Sequence, residues 1–508
     1  MAQGVLPFKY EEENKDSGMT ALGGLPVYLD LATTMRLPEI IEKHLHIKRQ
    51  GWTDSQIVLS LILLNLAGGD CVDDLVKLEG DSGFCRVLRR IEQSGLKRAQ
   101  RRELERRWRK EQKRCIASPS AVFRYLAAFH DGDQEKLRKT SEQKAFIPAP
   151  NGNLQGLARI NSEMIGYAQR CNPHETATLD QDATLVETTK ADALYSYKGF
   201  KAYQPLNTWW AEHQLVLHTE FRDGNVPAGY EQLRVLKESM ALLPADVKKV
   251  RLRSDTAGYQ HELLRYCEEG KNERFGRIEF AIGCDVTSEF KKSVLETEDK
   301  DWQPIYEEFD GKRIKTNQEW SEVCFVPSAI GNSKNAPVYR YLAIREKMGL
   351  AELPGIETSG QLFPFPTMLT DSQRYKVFGL VTNMDWEGEQ LIHWQRERCG
   401  KSEEAHSVMK EDLAGGKLPS DDFGENGAWW WIMMLALNLH NMMKRLALGE
   451  SWMSRRMKAI RFSLIHVPGR IVERSREMII RLVQGSPASE LLIKARQRIM
   501  ALCPAPSG

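Results

Sequence analysis

Apolar and polar positions follow two different periods along the chain. Up to about residue 150 the period is helical. Pro38 stands where a first helical turn tolerates proline. Thr53-Asp54-Ser55-Gln56 reads as a cap for an apolar helix over Ile57–Leu66, and Ala67-Gly68-Gly69-Asp70 closes it. Ser118 and Pro119 open a further helix whose apolar residues recur at helical spacing through Phe129. The proline- and glycine-rich stretch 146–153 (FIPAPNGN) marks a boundary. The pattern therefore predicts a mobile polar arm over 1–20 and a helical domain over 21–150.

Beyond that boundary the period becomes mixed. Thr178–Glu187 (TLDQDATLVE) reads as a strand, and side-chain alternation puts Asp180 and Asp182 on one face. Gln214–Phe221 is a second strand type, ended by the turn Arg222-Asp223-Gly224-Asn225. Tyr230–Leu243 is an amphipathic helix. Val247–Ser254 is a strand with Asp255 at its C-terminal end, where open α/β sheets collect ligands. A helix over Gln260–Glu268 and a strand over Phe275–Cys284 follow. This order predicts an α/β fold, an RNase-H-like mixed sheet flanked by helices. Its first part spans 151–285, a strand-rich insertion spans 286–375, and its last part spans 376–450, with a C-terminal region over 451–508. Glu387–Leu413 is expected as a charged helix broken near Gly400. Glu403, His406 and Lys410 share one face of it. His406 is taken as a surface residue of that helix. Trp429–Met443 is apolar all round and must be buried, its tryptophans serving as core rather than as a base-stacking platform.

Composition changes this picture little. A chain of 508 residues has room for roughly three domains. With 42% hydrophobic and 28% charged residues it is an ordinary globular sequence. The net charge of +2 does not announce a nucleic-acid binder, but the charge is unevenly placed. Lys97–Arg114 holds ten basic residues against three acids, Arg106, Arg107 and Lys110 among them. Such a stretch can neutralise phosphates, and a solvated surface helix is the equal alternative. Nine cysteines without a CxxC pair argue against structural zinc and a disulfide framework and fit a reduced cytoplasm. The N-terminus has no signal-peptide core, and the longest apolar runs fall short of the ~20 residues of a membrane span, so no membrane partner is expected. The phosphate-loop, GxSxG and HExxH patterns are absent, so no nucleotide cofactor is expected.

Three acids remain: Asp182 or Asp180 on the first strand, Asp255 at the end of the fourth, and Glu403 or Glu404 on a late helix. Carboxylates of this kind can hold two divalent ions about 3.5–4 Å apart for in-line phosphoryl transfer. Oxygen ligands select magnesium or manganese. Arg253, Arg398, Lys401 and Lys410 are the bases placed to follow a DNA backbone.

The stretches LDQDATLVE, FRDGN, LRSDTAGY and RCGKSEEAHSVMKEDLAGG resemble those of bacterial insertion-sequence transposases of the DDE type. In that group the third acid lies in a Y-x2-R-x3-E-x6-K helix. Glu403 and Lys410 fit the E-x6-K half, while Arg396 and Cys399 stand at the tyrosine and arginine positions. The resemblance implies Asp182, Asp255 and Glu403 as catalytic, metal-holding residues with Mg2+ or Mn2+, in two ions. It implies binding of terminal inverted repeats and target DNA, a homodimer on DNA, strand cleavage and strand transfer, and a cytoplasmic, nucleoid-associated protein. The same carboxylates would serve a metal-dependent nuclease that cuts without joining. An inactive relative that only binds repeat DNA is the other alternative. Which element reads bases stays open.

Overall fold

The structure is a computed structural model. It describes residues 17–94, 96–103, 114–141, 144–327, 337–348, 365–370, 373–398, 401–474 and 477–502. Residues 1–16 of the expected arm and most of the basic stretch, including Arg106, Arg107 and Lys110, lie outside the described residues.

Thr53 accepts a hydrogen bond from Gln56 N, and the Gln56 side chain accepts one from Thr53 N, so the helix Asp54–Ala67 (α1) starts on a reciprocal cap. It ends at Gly68, whose φ of 91° is the left-handed conformation that glycine adopts without penalty. Further helices of this half span Pro26–Thr34, Leu37–His44, Ser82–Glu92, Pro119–Leu126 and Gly132–Thr140. Met19–Thr20, expected in the mobile arm, is instead a short strand paired with Gly469–Arg470. Its backbone groups find partners in the C-terminal hairpin Gly469–Arg474/Glu477–Leu482, which anchors it.

The helix Gly152–Cys171 (α2) leads into the central sheet. Its first strands are Thr176–Ala183 (β1), Leu206–Trp210 (β2), Leu215–Glu220 (β3), Lys249–Ser254 (β4) and Glu279–Cys284 (β5). Their spatial order is β3-β2-β1-β4-β5. β2 runs antiparallel to both β1 and β3, while β4 runs parallel to β1 and β5 parallel to β4. This is the RNase-H-like order expected from the sequence. Crossover helices Gln232–Ala241 (α3) and His261–Glu268 (α4) make the parallel pairings possible.

The strand-rich stretch extends this same sheet. Gln303–Phe309 (β6), Lys312–Val323 (β7), Arg340–Lys347 (β8), Thr367–Thr370 (β9) and Gln373–Thr382 (β10) complete ten strands. β10 pairs antiparallel with β5, and β8, β7 and β6 follow outward. Hydrogen bonding thus continues across the edge that β5 would otherwise expose.

Gly388–Arg396 (α5) and Lys401–Ser407 (α6) form the expected charged helix, and α6 passes into a wider π-helical turn at Val408–Asp412. The helix Phe423–Met442 (α7) is buried at every one of its 20 residues. It packs against α1 and α2, so the core is shared by the N-terminal helices and the sheet. Two polar groups within it are satisfied: Asn438 bonds Asn161 and Val216 O, and His440 Nδ1 meets Tyr28 Oη at 2.9 Å. Arg461 ties three segments together, donating to Asn65 O, Leu66 O and Asp412 O. Among the described residues, no single helix is long and apolar enough to cross a membrane.

Candidate active site

Strand alternation places Thr178, Asp180 and Asp182 on one face of β1. The neighbouring strand fixes their surroundings. Asp180 is in register with Arg253, and Gln181 with Ser254, so Asp182 lies beside Asp255 just past the end of β4.

The two acids of β1 are held differently. Arg253 donates to both oxygens of Asp180, at 2.6 and 2.8 Å. Burial pushes the Asp180 carboxyl up from its ordinary value, and Arg253 opposes that shift. Arg253 also donates to Trp394 O at 2.5 Å and to Glu397 at 3.1 Å, and its guanidinium lies 5.0 Å from the Trp394 ring. Asp182 is half-buried, with one contact to Arg398 Nη2 at 3.2 Å. Burial raises its carboxyl to about 6; Arg398 pulls it down, and the nearby Asp255 pushes it up. Asp255 accepts from Ala257 N at 3.0 Å and so caps the turn Thr256–Gly258.

Two sequence expectations change here. Arg253 and Arg398, assigned to the DNA backbone, are both buried and turned inward onto Asp180 and Asp182. A guanidinium beside a buried carboxylate offsets the desolvation of both, which is why these arginines point into the protein. His406 is likewise buried rather than on the surface. Burial, Lys410 and Arg398 lower its imidazole to about 4, so it is neutral at ordinary pH. Lys249 and Arg251, on the same strand as Arg253, both pair with Glu279.

The third acid is placed less closely. Glu403 and Glu404 are adjacent and exposed on α6. Glu404 lines a cavity of about 470 Å³ together with Asp180, Trp209, Arg253, Trp394 and Lys444. Burial lowers the Lys444 amine, and the charge of Glu404 opposes that shift. Glu403 does not line this cavity. Lys410, two turns further on, donates to Leu185 O at 3.2 Å, just beyond Asp182. The side chain of Lys401 lies outside the described residues. Among the described residues, no three His, Cys, Asp or Glu side chains are gathered closely enough to hold a metal ion. Asp182 and Asp255 are brought together, and Glu403 is not brought to them. Sequence reading missed the Trp394 stack, Glu397 and the cavity. The signal for them was the tryptophan two residues before Arg396, which was read only as part of a helix.

The donor set nevertheless suits a hard divalent cation. It is made of carboxylate oxygens, and the repulsion that Asp255 exerts on Asp182 is what a cation between them would relieve.

The family described as transposase DDE domain, group 1, matches residues 12–326 and 368–504. That is most of the chain, which therefore belongs to this family and is a DDE transposase, an enzyme of DNA transposition. Enzymes of this class generally use divalent metal ions. Among solved structures the chain is similar to that described as the cryo-EM structure of the piggyBac transposase synaptic complex with hairpin DNA. The identity is 11% and the TM-score 0.43, over 95% of this chain and 86% of that one. No curated protein matches the chain.

Proposed function

We propose that this transposase cleaves DNA strands at the terminal inverted repeats of its own element and joins the freed end to target DNA. The observation that carries the proposal is the placement of Asp182 beside Asp255 at the ends of adjacent parallel strands, where the charge of Asp255 pushes the Asp182 carboxyl up and a cation between them would relieve the repulsion. Asp182, Asp255 and Glu403 would hold Mg2+ or Mn2+. The ions, when bound, polarise the scissile phosphate and lower the pKa of the attacking water or hydroxyl.

The protein's own groups do the rest. Arg398 holds Asp182 in place and balances its charge in a half-buried setting. Arg253 locks Asp180, which keeps the strand that carries Asp182 rigid. Lys410 fixes the end of α6 against Leu185. Lys401 and the basic stretch with Arg106, Arg107 and Lys110 would contact the DNA backbone. The enzyme would act as a dimer that brings two ends together, in a bacterial cytoplasm.

The test is a labelled duplex carrying the element's end, incubated with protein in Mg2+ or Mn2+ and in EDTA, beside Asp255→Ala. A nick at the element boundary that needs metal and disappears with Asp255→Ala is expected. Bound but uncut DNA in every lane would overturn the proposal in favour of repeat binding without chemistry.

A further inference from the structure

The strand that carries Asp182 does not end at the sheet. Thr184 N donates to Pro205 O at 3.0 Å, Val186–Glu187 pairs with Ala202–Tyr203, and Tyr195 pairs with Lys201. Together these make an arm that continues the β1–β2 hairpin beyond the sheet. Its tip is a tight turn. Gly199 N donates to Ser196 O, Ser196 N donates to Phe200 O, and Gly199 takes φ +83°, a conformation that L side chains rarely adopt. The arm's root touches the candidate site, because Leu185, whose carbonyl receives Lys410, lies between Asp182 and the first arm pair.

The tip is unlike the rest of the surface. Tyr195 is 64% exposed and Tyr197 77% exposed. Large aromatic side chains are normally drawn inward, and two exposed on one turn need a reason. Each ring has a lysine against it: Lys198 Nζ lies 5.8 Å from the Tyr197 ring centre and Lys201 Nζ 6.0 Å from that of Tyr195. The acids nearby are engaged below the tip: Asp192 pairs with Lys139 at 2.8 Å and also feels Lys201, Asp421 accepts from Ala191 N, and Glu187 sits at the root of the arm. Lys201 donates to Ala191 O at 2.6 Å, which holds its amine at the arm, and Lys198 stands at the tip turn.

Exposed π-faces interleaved with ammonium groups match one ligand chemistry well. The rings stack on bases that have left the duplex, and the lysines follow the phosphates between them. We infer that the arm 186–203 is a binding site for unpaired DNA, holding nucleotides released beside the scissile phosphate through stacking on Tyr195 and Tyr197. A paired duplex offers no free base faces, so the arm discriminates unpaired from paired DNA. This inference rests on the DNA-cleaving reading above and adds to it the state of the DNA that this surface takes.

The test uses the full chain, a fluorescein-labelled dT12 oligonucleotide and a 20-base-pair blunt duplex of arbitrary sequence, with binding followed by anisotropy. Stacking is tolerant of sequence, so the terminal repeat need not be known. The double substitution Tyr195→Ala/Tyr197→Ala is expected to weaken dT12 binding about ten-fold or more and to leave duplex binding within about two-fold. Tyr195→Phe/Tyr197→Phe, which keeps the rings, is expected to restore it. Lys198→Ala/Lys201→Ala is expected to reduce the salt dependence of dT12 binding. Equal dT12 affinity for the parent and the double alanine variant would overturn the inference. So would a change from dimer to monomer in light scattering without loss of dT12 affinity, which would assign the tyrosines to a second copy of the chain. Failure of metal-dependent cleavage on the element's end would instead strike the proposed function, and the two failures are read in separate assays.

Discussion

Arg253 grips Asp180 through two parallel hydrogen bonds across adjacent strands, Nε to Oδ1 at 2.6 Å and Nη2 to Oδ2 at 2.8 Å. Two residues further along the same face, Asp182 meets Arg398 at 3.2 Å and has more access to solvent. The first acid is tied into the fold, and the second is left with an oxygen to spare.

Removing Asp180 leaves the buried guanidinium of Arg253 with only Trp394 O and the more exposed Glu397 as polar partners. Asp180→Ala is expected to lower unfolding stability by about 3–5 kcal/mol, the cost of breaking a buried ion pair. Asp182→Asn keeps an acceptor for Arg398 and is expected to cost no more than about 1 kcal/mol. It should reduce metal-dependent cleavage by about 1,000-fold or more. Urea denaturation beside the cleavage assay separates the two. Full cleavage by Asp182→Asn would reassign the ligand to Asp180.

The neighbours on α6 divide in the same way. Glu404 borders the cavity that holds Lys444, Asp180 and Arg253, while Glu403 stands two turns before Lys410, which is anchored beside Asp182. Glu403→Gln is expected to abolish cleavage with DNA binding retained. Glu404→Gln should cut within about ten-fold of the parent, because a wall residue acts only through positioning. The reverse pattern would make Glu404 the third acid.

How legible was this in the sequence? Alternation on β1, the strand ending at Asp255 and the apolar run of α7 each report a local period tied directly to burial, so the order of strands and helices along the chain and the buried helix could be read. Trp429, Trp430 and Trp431 are core, as their all-round apolar neighbourhood implied. The inward turn of Arg253 and Arg398 could not be read. A basic residue looks the same in sequence whether it faces phosphate or a buried carboxylate; the register of β1 against β4 decides for Arg253, and the packing of the turn after α5 against β1 decides for Arg398. The extension of the sheet through β10 was hidden for a similar reason. A strand's partner is a non-local fact, and a pattern of alternation does not name it. Asp180 and Asp182 share one face, so periodicity could not choose between them.

A buried histidine weakens the fold in acid. His213 is buried edge-on to Trp210 at 4.4 Å and bonds Gln169 Oε1 at 2.8 Å; burial, then His174 and Arg445, lower it to about 3. Its folded value lies below the ordinary 6.5. The unfolded chain therefore takes up the proton first, and the stability this residue contributes is full above pH 6.5 and is lost as pH falls toward 3. The raised carboxyls of Asp182 and Asp223 run the opposite way, so the parent alone does not isolate the effect. The difference between parent and His213→Gln does. Relative to its standing at pH 8, the parent should lose up to about 2 kcal/mol against the variant at pH 5, read from urea midpoints. A constant difference across that range would mean that His213 is not protected from protonation.

The buried helix also holds the far end of the α6 segment. Trp429 Nε1 donates to Ala414 O at 2.8 Å, and Ala414 has a φ of 59°, in the left-handed region that costs a residue with a Cβ about 1–2 kcal/mol. That conformation lets the chain leave the π-helical turn at Val408–Asp412 and double back toward α7. Ala414 O also accepts from Lys417 N at 3.0 Å, so Trp429→Phe keeps most of the ring's packing and removes one of two donors, which should cost about 1 kcal/mol. Because Ala414 closes the segment that carries Glu403 and Lys410, cleavage should fall with it while duplex binding persists. Adding Ala414→Gly removes the Cβ strain and is expected to recover part of the stability. If Trp429→Phe cuts at the parental rate despite the lost stability, the position of α6 does not depend on this bond, and the hold on Glu403 comes from the other contacts of the segment, Lys410 with Leu185 O, Arg461 with Asp412 O and Asn65 with Leu413 O.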